Sequence, residues 1–219
     1  MRDQPKVIII GTGFGGLEVA RGLAGAHVRV LLLDRNNYQT FWPLMYQVAT
    51  AALEPQAIAF PVRGVIRRMR NLLFRVVTVQ QIDLARQLVV TDRGTLTYDE
   101  LVVSAGSTNN FFGLQGIEQQ GFGFKDLPEA LVLRNHVIQC FERAATEMDT
   151  HERERLRTFI VVGGGPTGVE LAGALAELVR HVIRRDFPRL DISAAKVLLV
   201  EMADRLLLAF PEELSRKAA

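Results

Sequence analysis

The sequence predicts an α/β chain in which one strand–turn–helix–strand unit occurs twice. Two glycine-rich stretches carry the prediction, "IIIGTGFGGLEVA" near the start and "VVGGGPTGVELAGALAEL" from Val161 to Leu178. A third observation agrees with them. Each stretch follows a short apolar run and is followed by a second strand that closes on an acid, Asp34 in the first case and Glu201 in the second. Strand, Gly-x-Gly-x-x-Gly, helix, strand and terminal acid together make the dinucleotide-binding pattern of a Rossmann-like domain, which a glycine motif alone does not. The expectation is a tandem of Rossmann-like FAD/NAD(P)-binding domains, residues 1–155 and 156–219. At 219 residues both are expected to be incomplete, because two full nucleotide-binding domains need more chain.

The first unit begins with Val7 to Ile10, an apolar β-branched run of the kind that forms a central strand buried on both faces. Gly11 lets the chain turn off the strand, Gly13 leaves room for a pyrophosphate against the backbone, and Gly16 lets helix and strand pack closely. The N-terminus of the helix that follows offers unpaired N–H groups to phosphate. "HVRVLLLD" is the second strand, and Asp34 at its end can accept hydrogen bonds from a ribose diol.

Between the units the pattern is mixed. Phe41 to Ala49 lacks clean periodicity and reads as a loop covering a planar cofactor; ordinary packing of Phe41, Trp42 and Tyr46 is the competing reading. Glu54 and Pro55 are expected to open a helix with Ile58, Val62, Val65 and Ile66 on its apolar face. Arg63, Arg67, Arg68 and Arg70 near its far end read as a solvated face that suits a helix C-terminus. "LLFRVVTVQQID", "RQLVVTD" and "GTLTYDELVVSAG" read as short meandering strands, the last of them buried. Asp126 and Glu129 form a capping box ahead of a helix with the stripe Leu133, Val137, Cys140, Phe141, Ala144 and Met148.

The second unit repeats the first with Phe159 to Val162 as strand and Gly163, Gly165 and Gly168 as turn. "KVLLVE" is its second strand, and an acid at Glu201 favours a free ribose 2′-hydroxyl, hence NADH over NADPH. The gap from Gly168 to Glu201 is longer than the usual ~20 residues, and "RRDFPRLDISAA" accounts for it as helix extension plus loop. Two such units imply two dinucleotides and a hydride relay through a flavin.

Composition excludes several classes. A net charge of +2 gives no reason to expect nucleic-acid binding. No apolar run approaches the ~18 residues of a transmembrane helix. "MRDQPKVIII" enters a strand at once and does not read as a signal peptide. Cys140 is the single cysteine, so a disulphide or sulfide-oxidising reductase, which needs a cysteine pair, is disfavoured.

The stretches "GTGFGGLEVARGL", "DRNNYQTFWPLMYQVATAAL", "VVGGGPTGVELAGALAEL" and "FPEELS" together resemble type II NADH:quinone oxidoreductases, single-subunit, non-proton-pumping respiratory flavoproteins. The resemblance spans essentially the whole chain, and "NYQTFWPLMYQVAT" is its most diagnostic part. It implies FAD at Gly11, Gly13, Phe14, Gly15 and Gly16, with Asp34 on the ribose, Arg35 flanking the adenine and Val79 offering backbone. It places Phe41, Gln47 and Thr50 near the isoalloxazine, and Ala105 and Gly106 at a strand end beside the cofactor. It implies NADH at Gly163, Gly165, Pro166, Thr167 and Gly168, with Glu201 on the ribose. Glu170 aligns with a family acid near the nicotinamide–flavin contact; a helix-surface glutamate is the alternative. Ser104-Ala105 departs from the commoner Ala-Thr. The resemblance further implies a quinone acceptor, peripheral attachment on the cytoplasmic side of the inner membrane through a C-terminal region beyond these residues, and homodimers. The alternatives are a nucleotide-binding fragment without turnover, or a pyridine-nucleotide-dependent flavoprotein reductase with another acceptor.

Overall fold

The structure, a computed structural model, describes residues 4–219. Met1–Asp3, which open the stretch read as leading straight into a strand, lie outside the described residues. The elements begin with β1 (Lys6–Ile10), α1 (Phe14–Gly22), β2 (Arg29–Asp34), β3 (Tyr38–Thr40), α2 (Met45–Ala49), β4 (Ala59–Pro61) and α3 (Val62–Ile66). Five strands follow, β5 (Leu72–Val76), β6 (Val79–Asp83), β7 (Leu88–Thr91), β8 (Gly94–Thr97) and β9 (Glu100–Val103). Then come α4 (Gln115–Gln120), α5 (Leu127–Thr146), α6 (Thr150–Leu156), β10 (Thr158–Val162), α7 (Pro166–Glu177) and β11 (Lys196–Val200). A helix over Glu212–Ala218 is the last element.

Packing divides these elements into two compact units, one formed by the chain up to Phe41 with Gln56–Thr108, the other by Trp42–Pro55 with Asn109–Ala219. This division falls elsewhere than the 155/156 boundary. The reason is that α2 packs on α5 and α7, while α5 packs on α6 and α6 on β10.

In the first unit a parallel sheet runs in the order β5-β2-β1-β9. Side chains alternate across a strand, so β1 feeds two cores. Val7 and Ile9 join Leu17 and Ala20 of α1 and Val62 and Ile66 of α3 on one face. Ile8 and Ile10 join Val77, Val89 and Tyr98 on the other, under the antiparallel meander β6-β7-β8. Ile8 and Ile9 are fully buried, and truncating either to alanine costs about 2–5 kcal/mol. Asn71 pins the loop between α1 and β2. Its side-chain amide donates to the carbonyls of Leu23 (2.9 Å), Val28 (3.1 Å) and Ala26 (3.3 Å), and its oxygen accepts the Gly25 amide at 3.0 Å.

Three expectations are corrected in this unit. The helix expected from Glu54 is instead a 3-10 turn (Pro55–Ala57), the strand β4 and the short α3. Pro61 is the cause: it has no N–H to donate and biases Phe60 towards extended backbone, so the helix begins after it. Ile58, Val62 and Ile66 are buried all the same. "LLFRVVTVQQID" is two strands, because Val77 N–H still donates to Asp34 O (2.8 Å) while Thr78 already bonds to Asp92. The strand β9 is a sheet edge rather than a buried strand, leaving Val103 60% exposed.

In the second unit β10 and β11 pair in parallel, and α7 packs against both. The capping box on α5 is formed as expected, Asp126 accepting the Glu129 amide at 3.0 Å. Val137, Cys140, Phe141 and Ala144 are buried, and Phe141 packs against Phe159 with ring centroids 5.4 Å apart and ring planes tilted by 40°. Met148 leaves the stripe: α5 ends at Thr146, Glu147 is extended, and Met148 is 86% exposed. The segment Phe41–Ala49, expected as a loop, is a 3-10 turn (Trp42–Leu44) leading into α2, whose Met45, Val48 and Ala49 are buried. The long gap before Glu201 holds a π-helical extension of α7, Leu178–Ile183, a helical turn and a 3-10 turn at Ile192–Ala194.

Candidate functional site

The two glycine turns share one geometry. Gly11 and Gly163 sit at positive φ (+96° and +111°), and their amides close the turn onto Leu33 O (2.7 Å) and Val200 O (2.8 Å) of the neighbouring strand. A side chain at either would be strained by the backbone alone. Gly16 and Gly168 face a different constraint. A Cβ there would lie 1.9 Å from Gly11 O and 1.8 Å from Gly163 O. These glycines are explained by the protein's own packing.

Gly13 and Gly165 are not. Their φ values, −71° and −74°, suit any residue, and a Cβ at either would meet nothing within 4 Å. Each is the N-cap of its helix, α1 or α7, and neither helix has a side-chain cap. By contrast α5 and α6 are capped by Asp126 and Asp149. Both helices therefore open on bare backbone N–H groups over clear space, a cradle that fits a pyrophosphate.

At the end of each second strand the acid is held by two amides. Asp34 accepts Thr12 N–H (2.7 Å), Thr12 Oγ1–H (2.8 Å) and Asn36 N–H (2.9 Å). Glu201 accepts Gly164 N–H (2.5 Å) and Ala203 N–H (2.8 Å). The amides of Ala203 and Gly164 hold the Glu201 carboxyl below the usual glutamate range, so it is ionised at neutral pH.

Phe14 meets Phe41 edge-on, with centroids 5.7 Å apart. Ser104 N–H bonds to Ile10 O (2.8 Å), which brings Ser104 against Gly11 and Gly15 and leaves Ala105 and Gly106 exposed beyond the strand end. Val79 opens β6, and Arg35 is exposed after Asp34. Thr50 is buried with its hydroxyl donating back to Tyr46 O (3.0 Å), and Gln47 donates to Tyr46 Oη (3.1 Å). Pro166 is the first helical residue of α7, a position that suits its missing N–H.

Within the second unit Thr167 and Glu170 of α7 line a cleft of about 260 Å³ with Trp42, Tyr46, Phe124 and Lys125. Lys125 Nζ lies 5.7 Å from the Trp42 ring centroid, a cation–π contact, and its backbone N–H donates to Glu129 Oε2 at 2.5 Å. Lys125 and Phe124 were not singled out from the sequence. The signal available was their place directly before the Asp126 capping box, which fixes where they point.

Residues 5–219 match the family described as pyridine nucleotide-disulphide oxidoreductase. The chain belongs to that family. Among its members the chain is 40% identical over 218 residues to the type II NADH:quinone oxidoreductase Ndh of Mycobacterium tuberculosis, covering 98% of this chain and 47% of that protein. It is 32% identical over 224 residues to a probable NADH dehydrogenase of Dictyostelium discoideum, covering 99% and 49%. The chain thus spans about half the length of the curated relatives it matches. Its fold superposes on NDH2 of Plasmodium falciparum with a TM-score of 0.90 at 23% identity, covering 98% of this chain and 45% of that one. Although the family is named for a disulphide, Cys140 is the single cysteine of this sequence.

Proposed function

We propose that this chain carries the two dinucleotide sites of a type II NADH:quinone oxidoreductase, with FAD at the first glycine turn and NADH at the second. The supporting observation is the pair Gly13 and Gly165: no packing or backbone demand within the chain explains a missing side chain at either, and a bound pyrophosphate explains both. In this reading residues 1–155 serve the flavin and 156–219 the nicotinamide nucleotide. The amides from Gly11 to Gly16 and the N-terminus of α1 bind one pyrophosphate, and those from Gly163 to Gly168 with Pro166 and Thr167 bind the other. Asp34 and Glu201 hold the ribose hydroxyls, Arg35 and the Val79 backbone border the adenine, and Ala105 and Gly106 flank the flavin. Glu170, with Thr167, orients the nicotinamide from the cleft on α7. Ionised Glu201 repels a 2′-phosphate, which selects NADH over NADPH.

The cofactors supply the chemistry, a hydride from NADH to the flavin and electrons onward to a quinone; the chain supplies binding, orientation and charge. Quinone as acceptor, absence of proton pumping, peripheral attachment to the cytoplasmic face of a membrane and homodimer formation follow from the same reading. No helix among the described residues is long and apolar enough to cross a membrane. The test is the visible spectrum of the purified chain after incubation with FAD. Retained yellow colour bleached by NADH and not by NADPH supports the reading. A colourless protein that cannot be reconstituted overturns it for this chain, and equal bleaching by NADPH overturns the role of Glu201.

A further inference from the structure

A groove of about 390 Å³ runs along the outer edge of the first unit's sheet, and its rim carries Arg63, Arg75 and Arg93. They reach it from different layers. Arg63 comes from α3 on one face of the sheet, Arg75 from β5 itself, and Arg93 from the β7–β8 turn on the other face. Among the described residues no carboxylate lines the groove, and none of the three guanidinium groups has an ion-pair or hydrogen-bond partner. Asp92 is next in sequence to Arg93 but makes no ion pair with it among the described residues; its Oδ1 accepts the Thr78 amide at 2.9 Å. Arg63 is already positioned, its guanidinium carbon 5.3 Å from the centroid of the buried Phe74 ring. An ordered guanidinium loses less freedom on binding than a free one.

The backbone adds donors. Among the described residues β5 is an edge strand paired only with β2. Val30 N–H bonds to Asn71 O, and Val77 N–H bonds to Asp34 O, so the odd-numbered residues of this segment face β2. Phe74 and Val76, both lining the groove, therefore turn their N–H groups outward from the sheet. The rest of the lining is mostly apolar, Phe74, Val76, Val77 and Leu96 beside Thr91, whose hydroxyl donates to Gly94 O at 2.7 Å. None of these residues belongs to either proposed dinucleotide site.

We propose that this groove is a binding site for a phosphate group, separate from both dinucleotide sites. Three guanidinium forks and two outward amides exceed what the two oxygens of a carboxylate can accept, whereas a phosphate offers three or four oxygens in the geometry arginine matches. The apolar lining residues take the carbon body that the phosphate carries. A soluble phosphate ester and a phospholipid headgroup present the same group, and the test separates them.

FAD-saturated protein with excess NAD+, so that both glycine turns are filled, is titrated with inorganic pyrophosphate by calorimetry. In parallel it is sedimented with vesicles of phosphatidylcholine alone or mixed with phosphatidylglycerol. The same is done with the Arg63→Gln/Arg75→Gln/Arg93→Gln variant, whose three positions are exposed and whose melting curve should match the parent. Single Arg75→Gln should weaken binding roughly tenfold, the loss of one charge-assisted fork. The triple variant should abolish binding, and added salt should weaken it. Pyrophosphate binding lost in the triple variant supports the site with a soluble ligand. Binding only to phosphatidylglycerol vesicles, lost in the variant, supports it with a lipid headgroup. Absence of both, or equal binding by parent and triple variant, overturns it. A flavin-free preparation would count against the proposed function but leaves this titration readable, since the parent and variant share that defect.

Discussion

Glu201 fits against Gly164 as Asp34 fits against Thr12, the acid one methylene longer and its partner without a side chain. A Cβ at Gly164 would lie 3.0 Å from both Cβ and Cγ of Glu201 and 2.6 Å from Leu206 Cδ2. The longer acid occupies the space that the Thr12 side chain fills in the first unit, and each acid still takes the amide after the first glycine and the amide two residues beyond itself. Gly164→Ala should therefore displace Glu201. We expect NADH affinity to fall and the NADH-over-NADPH preference to narrow, with flavin content unchanged; nicotinamide titration of the flavin-loaded protein checks it.

The middle and last glycines should separate ligand from fold. Gly13→Ala, facing open space, should leave the melting temperature unchanged and lower flavin retention. Gly16→Ala, with its Cβ 1.9 Å from Gly11 O, should cost about 1–3 kcal/mol of stability as the turn shifts. Thermal melts and flavin-to-protein ratios on both variants test this, and a Gly13→Ala variant with full flavin content would contradict the cradle.

Acid should act on the second unit through Glu201. Its carboxyl lies below the ordinary value of 4.5 because the Ala203 and Gly164 amides donate to the ionised form. A lowered folded-state value means the stabilisation is complete above the unfolded value and is lost as pH falls through the folded one. Glu201→Gln should remove that part of the acid sensitivity below about pH 4.5. Denaturant melts at a series of acidic pH values, parent against variant, show whether the two slopes differ.

Asn71→Ala should destabilise the first unit by about 1–3 kcal/mol, since it leaves carbonyls of Leu23, Ala26 and Val28 without their shared donor. Urea melts followed by circular dichroism measure it. A change below a few tenths of a kcal/mol would show that water replaces the side chain at no cost.

Local chemistry decided what could be read in advance. The glycine turns, the strands beside them and the Asp126 capping box are each specified within a few residues, and the structure forms them where the sequence places them. Pro61 is an equally local signal, and in the structure it overrides the helical spacing of Ile58, Val62 and Ile66. Other features depend on partners far along the chain. Nothing near Asn71 announces that it closes the α1–β2 loop, and nothing near Lys125 announces Trp42 beneath it. The arginines read as a solvated helix face turned out to include Arg63, placed over Phe74 at a sheet edge by strand order alone.

The chain's one thiol gives it an internal reporter. Cys140 is 7% exposed, burial pushes its thiol above the ordinary cysteine range, and it sits midway along α5 beside His136. A thiol-reactive dye can reach it only when that helix opens. Labelling kinetics in dilute denaturant would then time the opening of the second unit without any engineered probe, and would show whether nucleotide bound near α7 slows it.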